Sequence, residues 1–345
     1  MERLAQLPGA LLPWYQLHKR QLPWRQTKDP YAIWLSEIML QQTRVEAVKG
    51  YYHRFLQALP NVEALAQADD ELLMKLWEGL GYYSRVRNLK KAAQQIMQLH
   101  GGVFPCQHSQ VMALPGIGAY TAGAICSIAF EQKTPAVDGN VLRVYARLLA
   151  DTTPIDQPAF QKQVRQQLQQ IYPEDASNFT QALMELGATI CGPNKQPACA
   201  QCPCRSFCLG NVRQIAAQLP VKPPKKGRRV EEKTVFLLRC DGCFALQKRP
   251  AQGLLAGLWQ FPELAGHLDV QNAIDKVGLP VKSVILQMEK NHIFTHIEWK
   301  MLGYYLEVEE KSDQFQWFTP QQIQQEAALP TAYRQFWEAI HADHI

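Results

Sequence analysis

The chain has little of what a membrane or secreted protein needs. No stretch approaches the roughly 18 uninterrupted apolar residues of a spanning helix, so no membrane association is expected. Its first twenty residues, MERLAQLPGALLPWYQLHKR, carry two prolines in the apolar run, with no basic segment before it and no clear cleavage site. That argues against a secretory leader and predicts a cytoplasmic protein. Charged residues are also scarce, 19% against 47% hydrophobic, a balance that excludes a disordered chain. No internal repeat is present, which excludes solenoids and propellers, and no extended low-complexity tract. Nor is there a strong excess of one charge: a net +5 permits an anionic partner without demanding one.

What is present divides into parts. A length of 345 residues predicts two cores of ordinary size. Over 1–217, YAIWLSEIMLQQT, VEALAQADDELLMKLWEGL, RVRNLKKAAQQIMQL, YTAGAICSIAF, VLRVYARLLA and FTQALMELGATIC are apolar at helical spacing between Gly and Pro breaks, so this part is expected to be all-α. Residues 218–233, QLPVKPPKKGRRVEEK, hold three prolines and five basic residues before any acid and read as a linker. From 234 to 345 the pattern is mixed α/β. KTVFLLRCDGCFALQKRP predicts two short strands around an Asp-Gly turn, HIFTHIEWKMLGYYLEV another strand, and TAYRQFWEAIHA a closing helix.

Four features carry chemistry. In LPGIGAYTAGAICSIAF, Gly116 and Gly118 precede a helix whose first N–H groups lack intrahelical partners; the loop is either a site for an anion such as a phosphate or a corner shaped by packing. Glu37, in AIWLSEIML, is either an exposed break in an apolar helix or a buried carboxyl. Burial would raise its pKa and poise it to donate a proton. Asp138, in AVDGNVLRVYARLL, stands where a helix cap belongs. Nine cysteines are present and five of them, Cys191, Cys199, Cys202, Cys204 and Cys208, fall within eighteen residues. Such clustering favours a metal site, and spacing alone leaves zinc and an iron–sulfur cluster both open.

Taken together, LPGIGAYTA, VDGNVLRV, SEIMLQQT, GLGYYSRVRNL and the cysteine cluster resemble the adenine DNA glycosylase (MutY) family of the helix–hairpin–helix glycosylases, across essentially the whole chain. The resemblance implies an all-α helix–hairpin–helix domain with an iron–sulfur loop, joined to a Nudix-like α/β domain. It makes Glu37 the general acid toward adenine, Asp138 the stabiliser of the oxocarbenium-like sugar, and Asn140 a positioning group. Endonuclease-III-like relatives place at position 120 a lysine that forms a Schiff base with the sugar. Tyr120 cannot form that imine, so base removal without efficient strand cleavage is expected, with Tyr120 bonded to Asp138 or to the sugar.

The same resemblance assigns Trp24 and Arg25 to the adenine pocket, and Gln41, Gln42 and Tyr82 to probing and filling the duplex around an extruded base. Gly116 and Gly118 fall to the DNA backbone. Arg85, Arg87 and Lys90 are either phosphate contacts or a solvated helix face. Cys191, Cys199, Cys202 and Cys208 are implied ligands of a 4Fe-4S cluster that shapes a basic loop with Lys195, Arg205 and Arg213. Seven residues separate Cys191 from Cys199 where the family usually has six, and Cys204 is a fifth thiol nearby. The C-terminal domain is implied to recognise 8-oxoguanine, with Thr295 and His296 at a Phe-Ser-His position. No Gly-x5-Glu-x7-Arg-Glu-x2-Glu-Glu box is present, so recognition rather than pyrophosphate hydrolysis is expected of it. The implied partner is double-stranded DNA bearing A opposite 8-oxoguanine or G, bound by a monomer.

Overall fold

The computed structural model describes residues 1–193, 196–223 and 227–341. Lys195, part of the linker stretch and the last four residues therefore lie outside the described residues. The chain packs as two compact units, one comprising Met1–Gln67 and Arg87–Pro224, the other Ala68–Val86 and Lys225–Ile345.

The first unit is helical. One of its cores gathers Leu7, Leu11 and Tyr15 with Val144, Tyr145 and Leu148, Phe160 and Phe179, which are the apolar stripes of helices Leu7–His18, Gly139–Leu149, Pro158–Gln169 and Ala176–Thr189. Local sequence sets the starts of the helices that matter for chemistry. Pro30–Leu40 opens with proline at its first position and Asp29 accepting from the Tyr31 N–H, both favoured at helix starts. Gly139–Leu149 is capped by Asp138, which accepts from the Val141 N–H. Ala119–Phe130 has Gly118 as its cap and no side-chain acceptor there.

One expectation changes in detail. VEALAQADDELLMKLWEGL forms two helices, Val62–Gln67 and Asp70–Leu76. Asp69 interrupts the run because its carboxylate takes the N–H groups of Glu71 and Leu72 at 2.8 and 3.2 Å, starting a new helix.

The second unit is built on a seven-stranded sheet. Its strands are β1 (Arg229–Cys240), β2 (Cys243–Lys248), β3 (Trp259–Gln260), β4 (Glu263–Ala265), β5 (Val281–Ile293), β6 (Ile297–Val308) and β7 (Gln316–Phe318). The order is β3-β2-β1-β6-β5, with β4 on β1 and β7 on β2. β1 runs parallel to β6 and antiparallel to β2, and β5 and β6 are antiparallel. β1 is buried on both faces: Val235 and Leu237 join Tyr333 and Phe336 of helix Thr331–His341, while Phe236 and Leu238 join Ala273 and Val277 of helix Val270–Val277, the period-two alternation of a strand. The stretch HIFTHIEWKMLGYYLEV is not one strand. It spans the end of β5 and all of β6, and Phe294-Thr295-His296 forms the turn between them, closed by the Phe294 N–H on the Ile297 carbonyl at 2.8 Å. Among the described residues no helix is long and apolar enough to cross a membrane.

Candidate active site

Within the helical unit lies a cavity of about 590 Å³, inside the size range of small-molecule pockets. Its wall includes Glu37, Tyr120, Asp138, Asn140, Trp24, Arg25, Gln41 and Gln42. These come from the 3-10 turn Pro23–Arg25, the end of helix Pro30–Leu40 and the starts of helices Ala119–Phe130 and Gly139–Leu149. The sheet-bearing unit holds Tyr82, Thr295 and His296.

Glu37 is 5% exposed, since its helix is apolar on every side and nearly all of it is buried. Burial pushes its carboxyl up to about 7; the Tyr120 hydrogen bond and the Arg25 charge pull the other way, and Asp138 adds to the rise. Desolvation of a charged form is the dominant cause. The Tyr120 hydroxyl donates to Glu37 Oε2 at 2.6 Å. Its partner is thus Glu37, where Asp138 or the sugar was expected, because the phenol projects toward the Pro30–Leu40 helix packed beside its own. Burial and the two carboxylates raise the Tyr120 phenol well above its usual range, so it remains a donor.

Asp138 caps its helix and faces the cavity at once. Oδ1 accepts from the Val141 N–H at 2.8 Å and Oδ2 from Asn140 Nδ2 at 2.7 Å. Burial raises this carboxyl too, opposed by those hydrogen bonds and by the charge of Arg143. A positive centre brought in front of it would favour the ionised form further.

Two charged residues of the cavity wall, Glu185 and Arg20, escaped the sequence reading. Glu185, with 0% exposure, takes Arg20 Nε on Oε1 at 2.7 Å, and Arg20 Nη2 and Arg25 Nη2 on Oε2 at 2.8 and 2.7 Å. Burial alone would raise it, but the two guanidiniums prevail and hold it down at about 2. Nothing local in FTQALMELGATIC marks this residue, because its partners lie 160 and more positions away. Asn140 is also tied outward: Arg143 Nη2 donates to its Oδ1 at 2.8 Å, and Arg143 Nε to the Cys191 carbonyl at 2.8 Å. Gly187 leaves room for this arrangement, since a Cβ there would stand 2.6 Å from that of Asn140.

Beside Tyr120, Gly116 has φ +76°, and a Cβ on it would meet Asn88 Cβ at 2.6 Å, so only glycine suits this turn. Gly118 is extended, at φ −100°; a Cβ there would meet nothing within 4 Å. The helix start it precedes is open.

Cys191, Cys199, Cys202 and Cys208 line one small cavity together with Arg147 and Arg205. Cys204 is absent from that lining; it is 2% exposed within the helical core. A hydrogen bond from Cys204 is the main cause that brings the Cys202 thiol down to about 7. Arg147 Nη1 approaches Cys191 Sγ at 3.4 Å. Among the described residues no three His, Cys, Asp or Glu side chains converge on a single ion. Arg205 and Arg213 are exposed.

In the other unit, Tyr82 is 48% exposed at φ +47°, and its hydroxyl lies 2.5 Å from Thr295 Oγ1. Phe294 is pinned edge-on against Trp299, with ring centres 4.8 Å apart, and the His296 carbonyl accepts the Arg229 N–H at 3.0 Å. Arg85 turns inward: its Nη2 donates to the carbonyls of Leu80 and Gly81 at 2.9 and 3.1 Å, and the guanidinium stacks over Trp77.

The family model of HhH-GPD superfamily base excision DNA repair proteins matches residues 35–174, and a NUDIX domain model matches 234–339. An adenine DNA glycosylase of Arabidopsis thaliana is 39% identical over 350 residues, covering 84% of this chain, which spans 55% of that relative's length. One of Mus musculus is 36% identical over 352 residues, covering 84% of this chain and 68% of the mouse protein. Among solved structures, a thermostable thymine-DNA glycosylase superposes with a TM-score of 0.56 at 26% identity, covering 61% of this chain and 98% of its own.

Proposed function

Because the chain belongs to the adenine DNA glycosylase family, with a helical HhH-GPD domain and a Nudix-like sheet domain, we propose that it hydrolyses the N-glycosidic bond of adenine paired with 8-oxoguanine, or with guanine, in duplex DNA. The observation that carries this reading is the pair Glu37 and Asp138 on the wall of one cavity. Glu37, raised to about 7, holds a proton to give to a ring nitrogen of adenine, which makes the base a better leaving group. Asp138, oriented by Asn140 and Val141, faces the positive charge that develops on the sugar as the base departs, and water completes hydrolysis. Two carboxyl groups with opposite tasks suit the cleavage of such bonds.

Other features support the remaining steps. A paired base is inaccessible inside a duplex, so the adenine must be extruded; the cavity has room for it, with Trp24 and Arg25 in its wall. Gln41, Gln42 and Tyr82 probe and fill the duplex, Gly116 and Gly118 offer backbone N–H groups to a phosphate, and Thr295 and His296 read 8-oxoguanine. Tyr120 has no amine to attack the sugar, so little or no strand cleavage accompanies base loss. Under this reading residues 1–217 carry excision, 234–345 carry recognition, and 218–233 joins them; the linker is shorter than the sequence suggested, because Arg229–Lys233 are already paired with β6 as the start of β1. Cys191, Cys199, Cys202 and Cys208 fit a 4Fe-4S cluster, in which each iron takes one thiolate, better than one ion. That group would supply shape to the loop bearing Arg205 and Arg213, and no chemical step needs it.

The test is release of free adenine from such a duplex by wild type, Glu37→Gln and Asp138→Asn. Wild type is expected to release the base and both variants to bind the duplex without releasing it. Normal turnover by Glu37→Gln would sink the assignment.

A further inference from the structure

The segment ahead of Tyr82 packs as part of the sheet-bearing unit, and Glu78 is the centre of its attachment. Glu78 Oε1 takes the Leu329 N–H at 2.9 Å and Arg334 Nη2 at 2.6 Å, while Oε2 takes Lys75 Nζ at 2.8 Å. Lys75 donates as well to the carbonyls of Ala327 and Ile323 at 3.1 and 3.3 Å, near the end of helix Pro320–Gln325. The Glu78 and Lys75 side chains are only 13% and 22% exposed, so these charge-assisted bonds are weakly screened. Four residues beyond Glu78, the Tyr82 hydroxyl meets Thr295. Between them Gly79, Gly81 and Tyr82 all adopt positive φ, at +95°, +69° and +47°. A tyrosine persists in that region only when its surroundings hold it.

We propose that Glu78 is a positioning residue for recognition of the damaged base: through Arg334 and the Leu329 amide it fixes the turn that presents Tyr82 to Thr295, so that the two hydroxyls read 8-oxoguanine together. This rests on the role given above to Thr295, and it adds reading of the base by the Tyr82 hydroxyl to the duplex-filling role of the Tyr82 ring. Glu78 lines no part of the cavity that holds Glu37 and Asp138. Its loss keeps the Tyr82 ring that fills the duplex and loosens only the placement of its hydroxyl against Thr295, so it affects discrimination of the partner base and leaves base release alone. A merely structural role would weaken every substrate equally.

The experiment uses the full chain carrying Glu78→Gln or Arg334→Met. Binding is measured to duplexes with a 2′-fluorinated, uncleavable adenosine opposite 8-oxoguanine or guanine. Single-turnover release from ordinary adenosine and amide hydrogen exchange over 77–86 accompany it. Both variants should weaken binding opposite 8-oxoguanine about tenfold, the order of one ordinary hydrogen bond to the base that a loosened turn no longer makes, and leave binding opposite guanine and the release rate within about twofold. Exchange over 77–86 should accelerate. Equal weakening on both duplexes, or faster exchange with the preference intact, overturns the proposal alone. A wild-type chain that binds both duplexes equally overturns the recognition reading and the proposal with it.

Discussion

Replacing Tyr120 with Phe removes one hydroxyl and tests how the site sets its acid. In the native protein that hydroxyl donates to Glu37 Oε2 at 2.6 Å, a bond that favours the charged carboxylate and offsets part of the rise caused by burial. A hydrogen bond to a charged group contributes about 1.5 to 3 kcal/mol, and one pKa unit is about 1.4 kcal/mol. Its loss should therefore move Glu37 from about 7 upward by about one to two units. The active form is the protonated one, so single-turnover adenine release should fall in the wild type as pH rises through neutrality. In Tyr120→Phe the same fall should come at higher pH. Saturating enzyme keeps binding and product release out of the measurement. The plateau at low pH is free to drop, since a weaker acid donates less readily; the midpoint carries the result. An unmoved midpoint, or one displaced to lower pH, would refute the claim that Tyr120 stabilises the Glu37 carboxylate.

Glu185→Ala leaves Arg25, whose side chain is 12% exposed, beside Arg20 without their shared carboxylate; breaking such a buried pair costs on the order of 3 to 5 kcal/mol, visible as a lower thermal midpoint, and an unchanged midpoint would contradict the role given to Glu185. Gly116→Ala and Gly118→Ala should separate folding from binding. The first, strained by φ and by Asn88, should lower thermal stability by about 1 to 2 kcal/mol; the second should melt normally yet bind duplex DNA more weakly in a filter or anisotropy titration. Among the cysteines, Cys204→Ala should retain iron and sulfide while Cys208→Ala loses them, as read by metal analysis and visible absorption. Iron lost from the first and kept by the second would reverse the ligand assignment.

The helical site was legible chiefly through the family resemblance. Local pattern left Glu37 open between an exposed break and a buried carboxyl and read Asp138 as a helix cap, while the role of Tyr120 came from the resemblance alone; the structure brings the three to one cavity. The clamp of Arg20 and Arg25 on Glu185 was not legible, because an ion pair spanning 160 residues or more leaves no local trace. β5 was missed beyond its last residues for a different reason. It is an edge strand, and much of it, including Val284, Ile285 and Leu286, is exposed, so VKSVILQMEKNHI lacks the alternation that marks a half-buried strand. The contact of Tyr82 with Thr295 joins residues 213 positions apart and required the assembled sheet unit.

The central claim is base removal by a site that holds an acid and lacks an amine nucleophile. An end-labelled duplex with one A opposite 8-oxoguanine, incubated with the protein and divided into portions with and without hot alkali, tests it most directly. Strand cleavage only after alkali is the predicted result. Cleavage without alkali would reveal an amine at the sugar, and no cleavage in either portion would mean that the base is never removed.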